Sequence, residues 1–235
     1  MGANGKETTS GDPVRGFMAL PGRPDDGKGL FLRCLEDVVR VLGLDVASES
    51  DADDSWTWET RARVALREAN SRELVVSETA CEALIRTAVY DPNPSFNRQF
   101  VEPALNAFGH RVVKTALLDY LRTGTNRERA GAARAWYWSA LPLRLPHVRA
   151  EGQDAGSRPA SDDTSEIVGE WREIALREFV SNDDLDVRRC ILPGLSLWKS
   201  AYPSESHDLV EAAVAIARAH PDEYIRHRVE HQVRG

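Results

Sequence analysis

Several groups of side chains in this chain have types and spacings that chemistry uses. Gly22, Gly27 and Lys28 carry the glycine and lysine spacing of a phosphate-binding loop. Such a loop needs a strand before it, helix amides facing the phosphates, and a hydroxyl after the lysine for a magnesium ion. Gly29 stands at the hydroxyl position and no strand pattern precedes it, so the match reads as chance. His227 and His231 are four residues apart in a helical stretch, the separation of two zinc ligands one turn apart. No third ligand accompanies them, and imidazoles near a helix C-terminus interact well with its dipole, so no metal and no other cofactor is expected.

The densest aromatic cluster is Trp136-Tyr137-Trp138. At about 100° per residue, Ala132, Ala133, Trp136 and Ala140 share one arc of a helix, whereas Arg134 and Trp138 point roughly the other way. Trp136 is therefore expected in the core over small alanines. Trp138 either meets a neighbouring unit or stands at the surface with Arg134 stacked on it. Arg134 and Trp138 are the candidate binding residues. No Ser/His/Asp, Cys/His or paired-carboxylate spacing marks a catalytic centre, so the catalytic residues are left unassigned.

The elements that must position these residues are helical. Apolar residues recur at three-to-four spacing through Leu30/Phe31, Cys34/Leu35, Val38 and Leu42, through Trp58 to Ala69, and through Ala80 to Ala88. Asn93-Pro94 reads as the start of a helix carrying Phe96, Phe100, Val101 and Leu105, with Pro103 as a candidate kink and Gly109 as its stop. His110 to Arg122 forms the next helix. Thr125 and Glu128 have capping-box spacing, in which each side chain satisfies the other's free amide, and mark the start of the helix with the tryptophans. Residues 146–163 have no apolar periodicity and many breakers, and read as an exposed, mobile insertion. Periodicity then resumes from Ile167 to Val229, and no segment reads as a strand.

Composition bounds the function. The net charge of −7 argues against a general nucleic-acid binder, because phosphate binding needs an excess of Lys and Arg. Arg dominates the basic residues, with only 4 Lys among 30, and its planar fork suits fixed pairing with carboxylates. Cys34, Cys81 and Cys190 lack the spacing of a disulfide framework or a thiolate metal site. With no signal-peptide pattern and no apolar run of membrane length, a cytoplasmic, membrane-free protein is expected.

A local formula repeats: an acidic or Asn-led turn, then an apolar residue beside Arg, opening a helix. It occurs at Asp91 to Arg98, Asp183 to Arg189 and Pro221 to Arg226, with a weaker copy at Thr125 to Arg129. Turn arginines 98, 129, 188 and 226 lie 31, 59 and 38 positions apart, and the insertion accounts for the longest interval. These helix pairs, with Asp184/Arg188 and Asp222/Arg226, resemble HEAT-like repeats, relatives of the armadillo group, from about Ser77 onward. The resemblance implies an all-α, right-handed α-solenoid of stacked antiparallel helix pairs over 29–235, and the Gly, Pro, Thr and Asp composition before it reads as a disordered tail over 1–28. It also implies that Arg129, Arg188 and Arg226 form a structural ladder between units. The expected function is a noncatalytic protein-interaction module with a protein partner and without nucleic acid. The alternative is DNA binding, or an enzyme similar to the HEAT-like alkyl-base DNA glycosylases, with Arg134, Trp138 and the Asp183, Asp184 and Asp186 group in its groove.

Overall fold

Each apolar stripe forms a helix in the computed structural model, which describes residues 26–46, 55–140, 147–154 and 163–233. Of the expected tail over 1–28, residues 1–25 lie outside the described residues and 26–28 instead open a helix, and of the 146–163 breaker segment residues 146 and 155–162 lie outside. Helix α1 (Asp26–Val41) starts before Gly29 and takes Lys28 and Gly29 into its first turns, so these residues do not form a phosphate loop. It buries Phe31, Cys34, Leu35 and Val38 along one face. Helix α2 (Ser55–Asn70) contributes Ala62 and Leu66. Helix α3 (Glu78–Tyr90) is capped by Ser77, whose side chain accepts from the Ala80 amide. Thr87 ties α3 to α1 by donating to the Cys34 carbonyl at 3.0 Å.

Helix α4 (Arg98–Thr123) starts later than Asn93-Pro94 suggests. Asn93 instead caps a turn, accepting from the Ser95 amide at 2.9 Å, which leaves Phe96 outside the helix and 54% exposed. Pro103 is accommodated within the helix, and the break comes at Gly109, where φ is 81° and ψ is 175°. That left-handed backbone suits glycine and divides α4 into the two helical runs that the stripes indicate. Helix α5 (Asn126–Trp138) opens on the expected capping box between Thr125 and Glu128. It buries small residues, Ala130 to Ala133 and Ala135 with Gly131 among them.

Helix α6 (Ser165–Ser181) precedes the short α7 (Leu185–Ile191), which runs into a 3-10 turn over Leu192–Gly194. Helices α8 (His207–Ala219) and α9 (Glu223–Gln232) close the series. Asp184 and Asp222 cap α7 and α9, accepting from the Val187 and Ile225 amides at 2.9 and 3.1 Å. Sequential neighbours pair, α6 with α7 and α8 with α9. Across the pairs, α4 packs on α6 and α6 on α8, while α5 packs on α7 and α7 touches α9. One apolar core runs through the whole stack.

The absence of strands is corrected by a short parallel pair. β1 (Leu74–Val76) aligns with β2 (Val148–Ala150), Leu74 opposite Val148 and Val76 opposite Ala150. Each strand has only three residues, so alternation cannot emerge from sequence, yet both bury their first and third side chains. The breaker segment is accordingly not wholly an exposed insertion, because Val148 and Ala150 belong to the core. Asn106 donates to the Val148 carbonyl and Gln153 to that of Ala107, pinning β2 against α4.

Candidate functional site

The segment between α3 and α4 is the frame on which α5 lies. Asp91, fully buried at the end of α3, accepts two parallel bonds from Arg63 at 2.9 Å each and a third from the Asn93 amide. Glu59 holds the Nε of Arg63, so this buried guanidinium is well satisfied. Residues 131, 134 and 138 of α5, at i, i+3 and i+7, run along this segment. Gly131 meets the Val89 carbonyl, Arg134 reaches the Asp91 carbonyl at 3.4 Å, and the Trp138 indole donates to Pro94 O at 3.1 Å and Asn97 Oδ1 at 2.7 Å. The opposite side of α5 faces α6, where Trp136 lies parallel to Trp171 with ring centroids 3.9 Å apart. The helical-wheel division of Trp136 from Arg134 and Trp138 therefore separates two packing directions.

Between these directions α5 borders a cleft of about 580 Å3, within the range of ligand pockets. Arg134, Trp136, Tyr137 and Trp138 line it from α5, Trp171 from α6, Arg189 and Cys190 from α7, and Tyr224 from α9. Pro94 and Ser95 form one rim, and Pro193 and Gly194 another. Tyr137 is 59% exposed and meets Trp138 edge to face. It gives the cleft an apolar edge.

The structure places both candidate residues on this cleft, in settings that differ from expectation. Arg134 is 6% exposed and does not stack on Trp138, whose ring faces the guanidinium of Arg98 instead, 5.4 Å from the centroid. Trp138 is half-buried and clamps the 94–97 segment through its indole N–H. Trp136 is also half-buried, packed on a tryptophan rather than on alanines alone, with the Lys114 ammonium 5.3 Å from its ring. Burial lowers the Lys114 pKa.

Arg189, Cys190, Trp171 and Tyr224 were not singled out from sequence. Arg189 and Tyr224 lie within two copies of the repeated formula, which marks them as turn residues and gives no sign that they face a cleft. The charge ladder is likewise displaced. Arg129 does reach a neighbouring helix, meeting Glu178 at 2.9 Å. Arg188 instead serves its own turn, donating to Phe179 O and Asp183, and Arg226 donates to the carbonyls of His220 and Pro221. Further ion pairs between helices or their caps run from Arg134 to Asp186 at 3.7 Å and from Arg189 to Asp222 at 3.4 Å.

Burial pushes the Cys190 thiol up to about 11, against the pull of Arg134, so it is a neutral thiol near pH 7 and a poor nucleophile. His227 and His231 meet edge to face on exposed positions of α9. Among the described residues, no cluster of three or more His, Cys, Asp or Glu is arranged to hold a metal ion. Among the same residues, no helix is long and apolar enough to cross a membrane. No protein-family model, curated protein or solved structure matches the chain.

Proposed function

We propose that this chain is a noncatalytic interaction module of HEAT-like repeats, a right-handed α-solenoid that receives a protein partner in the cleft bordered by α5, α7 and α9. The observation that carries this reading is the cleft itself. Aromatic side chains from three helices converge on one concavity, with Tyr137 left exposed at its edge. Exposed aromatics beside a desolvated pocket are the usual anchors of protein interfaces. Stacked helix pairs offer such surfaces without any chemical step. A reducing, cytoplasmic setting fits the three free cysteines.

The test places a photo-crosslinking amino acid at position 137, identifies the captured protein, and measures its affinity for the purified chain. Tyr137→Ala, which alters an exposed side chain, is expected to weaken that complex about tenfold or more while leaving the fold intact. An unchanged affinity would remove the cleft from the interface. Titration with duplex DNA separates the alternative class. Tight, steeply salt-dependent binding that Arg134→Ala weakens would favour DNA binding or a glycosylase-like enzyme over the interaction module.

A further inference from the structure

Buried arginines normally saturate their donors, because a guanidinium withdrawn from water is costly unless its N–H groups find acceptors. Arg63 and Arg188, away from the cleft, obey this rule. Arg63 makes three hydrogen bonds of 2.9 Å, and Arg188 donates to Phe179 O at 3.1 Å and Asp183 at 2.8 Å. Arg134 and Arg189 are as deeply buried, at 6% and 8% exposure, and they are the two that line the cleft. Their contacts are long. Arg134 reaches Cys190 Sγ at 3.3 Å, Asp91 O at 3.4 Å and Asp186 at 3.7 Å. Arg189 has a single hydrogen bond, to Asp222 at 3.4 Å, and lies over the Tyr224 ring. The Nε of each is shielded from water without a partner.

On the reading that the cleft is a binding site, we infer that its occupant is an acidic peptide segment, an aromatic or aliphatic side chain next to an Asp or Glu carboxylate. The apolar side chain fills the space between Trp136, Trp138 and Tyr224, and the carboxylate adds a closer acceptor to the long contacts that Arg134 and Arg189 now make. Charge selects a carboxylate over a phosphate. Asp186 and Asp222 already stand within 4 Å of the two guanidiniums, so a monoanion meets less repulsion there than a phosphate dianion does. Among the described residues the lining carries these two cations and no carboxylate of its own. The exposed ring of Tyr137 continues the apolar surface beyond the cleft, which suits a chain segment longer than the pocket.

The experiment probes the full-length chain with an array of short peptides, each carrying Trp or Leu beside Asp and each paired with a copy in which Asn replaces Asp. Acidic members are expected to bind about tenfold or more tightly than their neutral copies, the weight of a charge-assisted hydrogen bond in a desolvated site. Arg189→Gln should erase that preference, and Arg189→Lys should restore part of it. The preference on the unaltered chain stands as a measurement even if Arg189→Gln folds poorly. Equal binding of acidic and neutral copies, or no binding by any peptide, overturns the inference. Preferential competition by inorganic phosphate or an oligonucleotide also overturns it. A partner crosslinked at position 137 whose binding ignores Arg189 would leave the interaction-module reading standing and sink this one alone.

Discussion

Gly131 decides how closely α5 approaches α3, and replacing it with Ala sets two physical effects against each other. A Cβ at that position would lie 1.9 Å from the Val89 carbonyl oxygen, 2.7 Å from its carbonyl carbon and 3.0 Å from Cγ1. Non-bonded heavy atoms settle at roughly 3.5 Å, so the helices must part by roughly 1.5 Å. The obstacle is backbone in the last turn of α3, with no rotamer that moves it aside. Parting also stretches the Tyr90 to Glu128 hydrogen bond, 2.6 Å across the same interface. Overpacking of this kind costs about 1–3 kcal/mol, and a backbone clash belongs at the upper end. Helix propensity works the other way, favouring Ala over Gly by about 1 kcal/mol. The net expectation is a loss of about 2 kcal/mol, or a Tm lower by roughly 4–8 °C for a chain of this size. Urea unfolding with an unchanged slope measures it. Gly169 on α6 is the control, because a Cβ there meets nothing within 4 Å and Ala should stabilise by up to about 1 kcal/mol. If Gly131→Ala matched Gly169→Ala, the close packing of α3 on α5 would be refuted.

Asp91→Ala should cost about 3–5 kcal/mol because it strands the buried Arg63 charge, and much less in an Arg63→Met background; equal costs in both would deny the coupling. Trp171→Ala, at a buried position, should cost about 3–5 kcal/mol, and Trp136→Ala less because it is half-exposed. Either change should abolish the coupled-indole signal in circular dichroism, and a signal surviving in both variants would rule out the 3.9 Å stack. Burial, reinforced by the Arg188 charge, holds the His220 pKa below its ordinary value, so the fold keeps a neutral imidazole that the unfolded chain protonates below about pH 6.5. Its contribution is present above that pH and declines as the pH falls toward the folded value, so the stability gap between wild type and His220→Gln should shrink on acidification; a constant gap would contradict this.

The helices were legible because each carries a face long enough to show its period, as Phe31, Leu35 and Val38 do in α1. Local terminus chemistry was legible too. Thr125 and Glu128 cap as their spacing implies, and Gly109 breaks α4. Failures arose where long-range contacts rather than local pattern decide the structure. Leu74–Val76 is too short to alternate and becomes a strand only because Val148–Ala150, 74 positions away in register, lies beside it. Asn93-Pro94 has the composition of a helix start, yet Asn93 spends its side chain on the Ser95 amide and α4 waits until Arg98. The turn arginines were visible, but which of them crosses to a neighbour depends on stacking geometry. Arg188 folds back on Phe179 O while the next residue, Arg189, reaches Asp222.

The candidate site shows why one helix served two sequence arguments at once. The stripe formed by Gly131, Arg134 and Trp138 locks α5 onto residues 89–97, and Trp136 locks it onto α6, so both sides of α5 are committed to packing. The edge between them is where Tyr137 projects and where Arg134 lines the cleft. Wheel geometry could separate Trp136 from Trp138 but could not identify this edge, because its opposite wall, Arg189, Cys190 and Tyr224, arrives from helices more than 45 residues later. On the proposed reading, packing and binding share residues here. A substitution at Arg134, Trp138 or Arg189 then perturbs both, because each also ties neighbouring elements together, whereas Tyr137 separates them through its exposure.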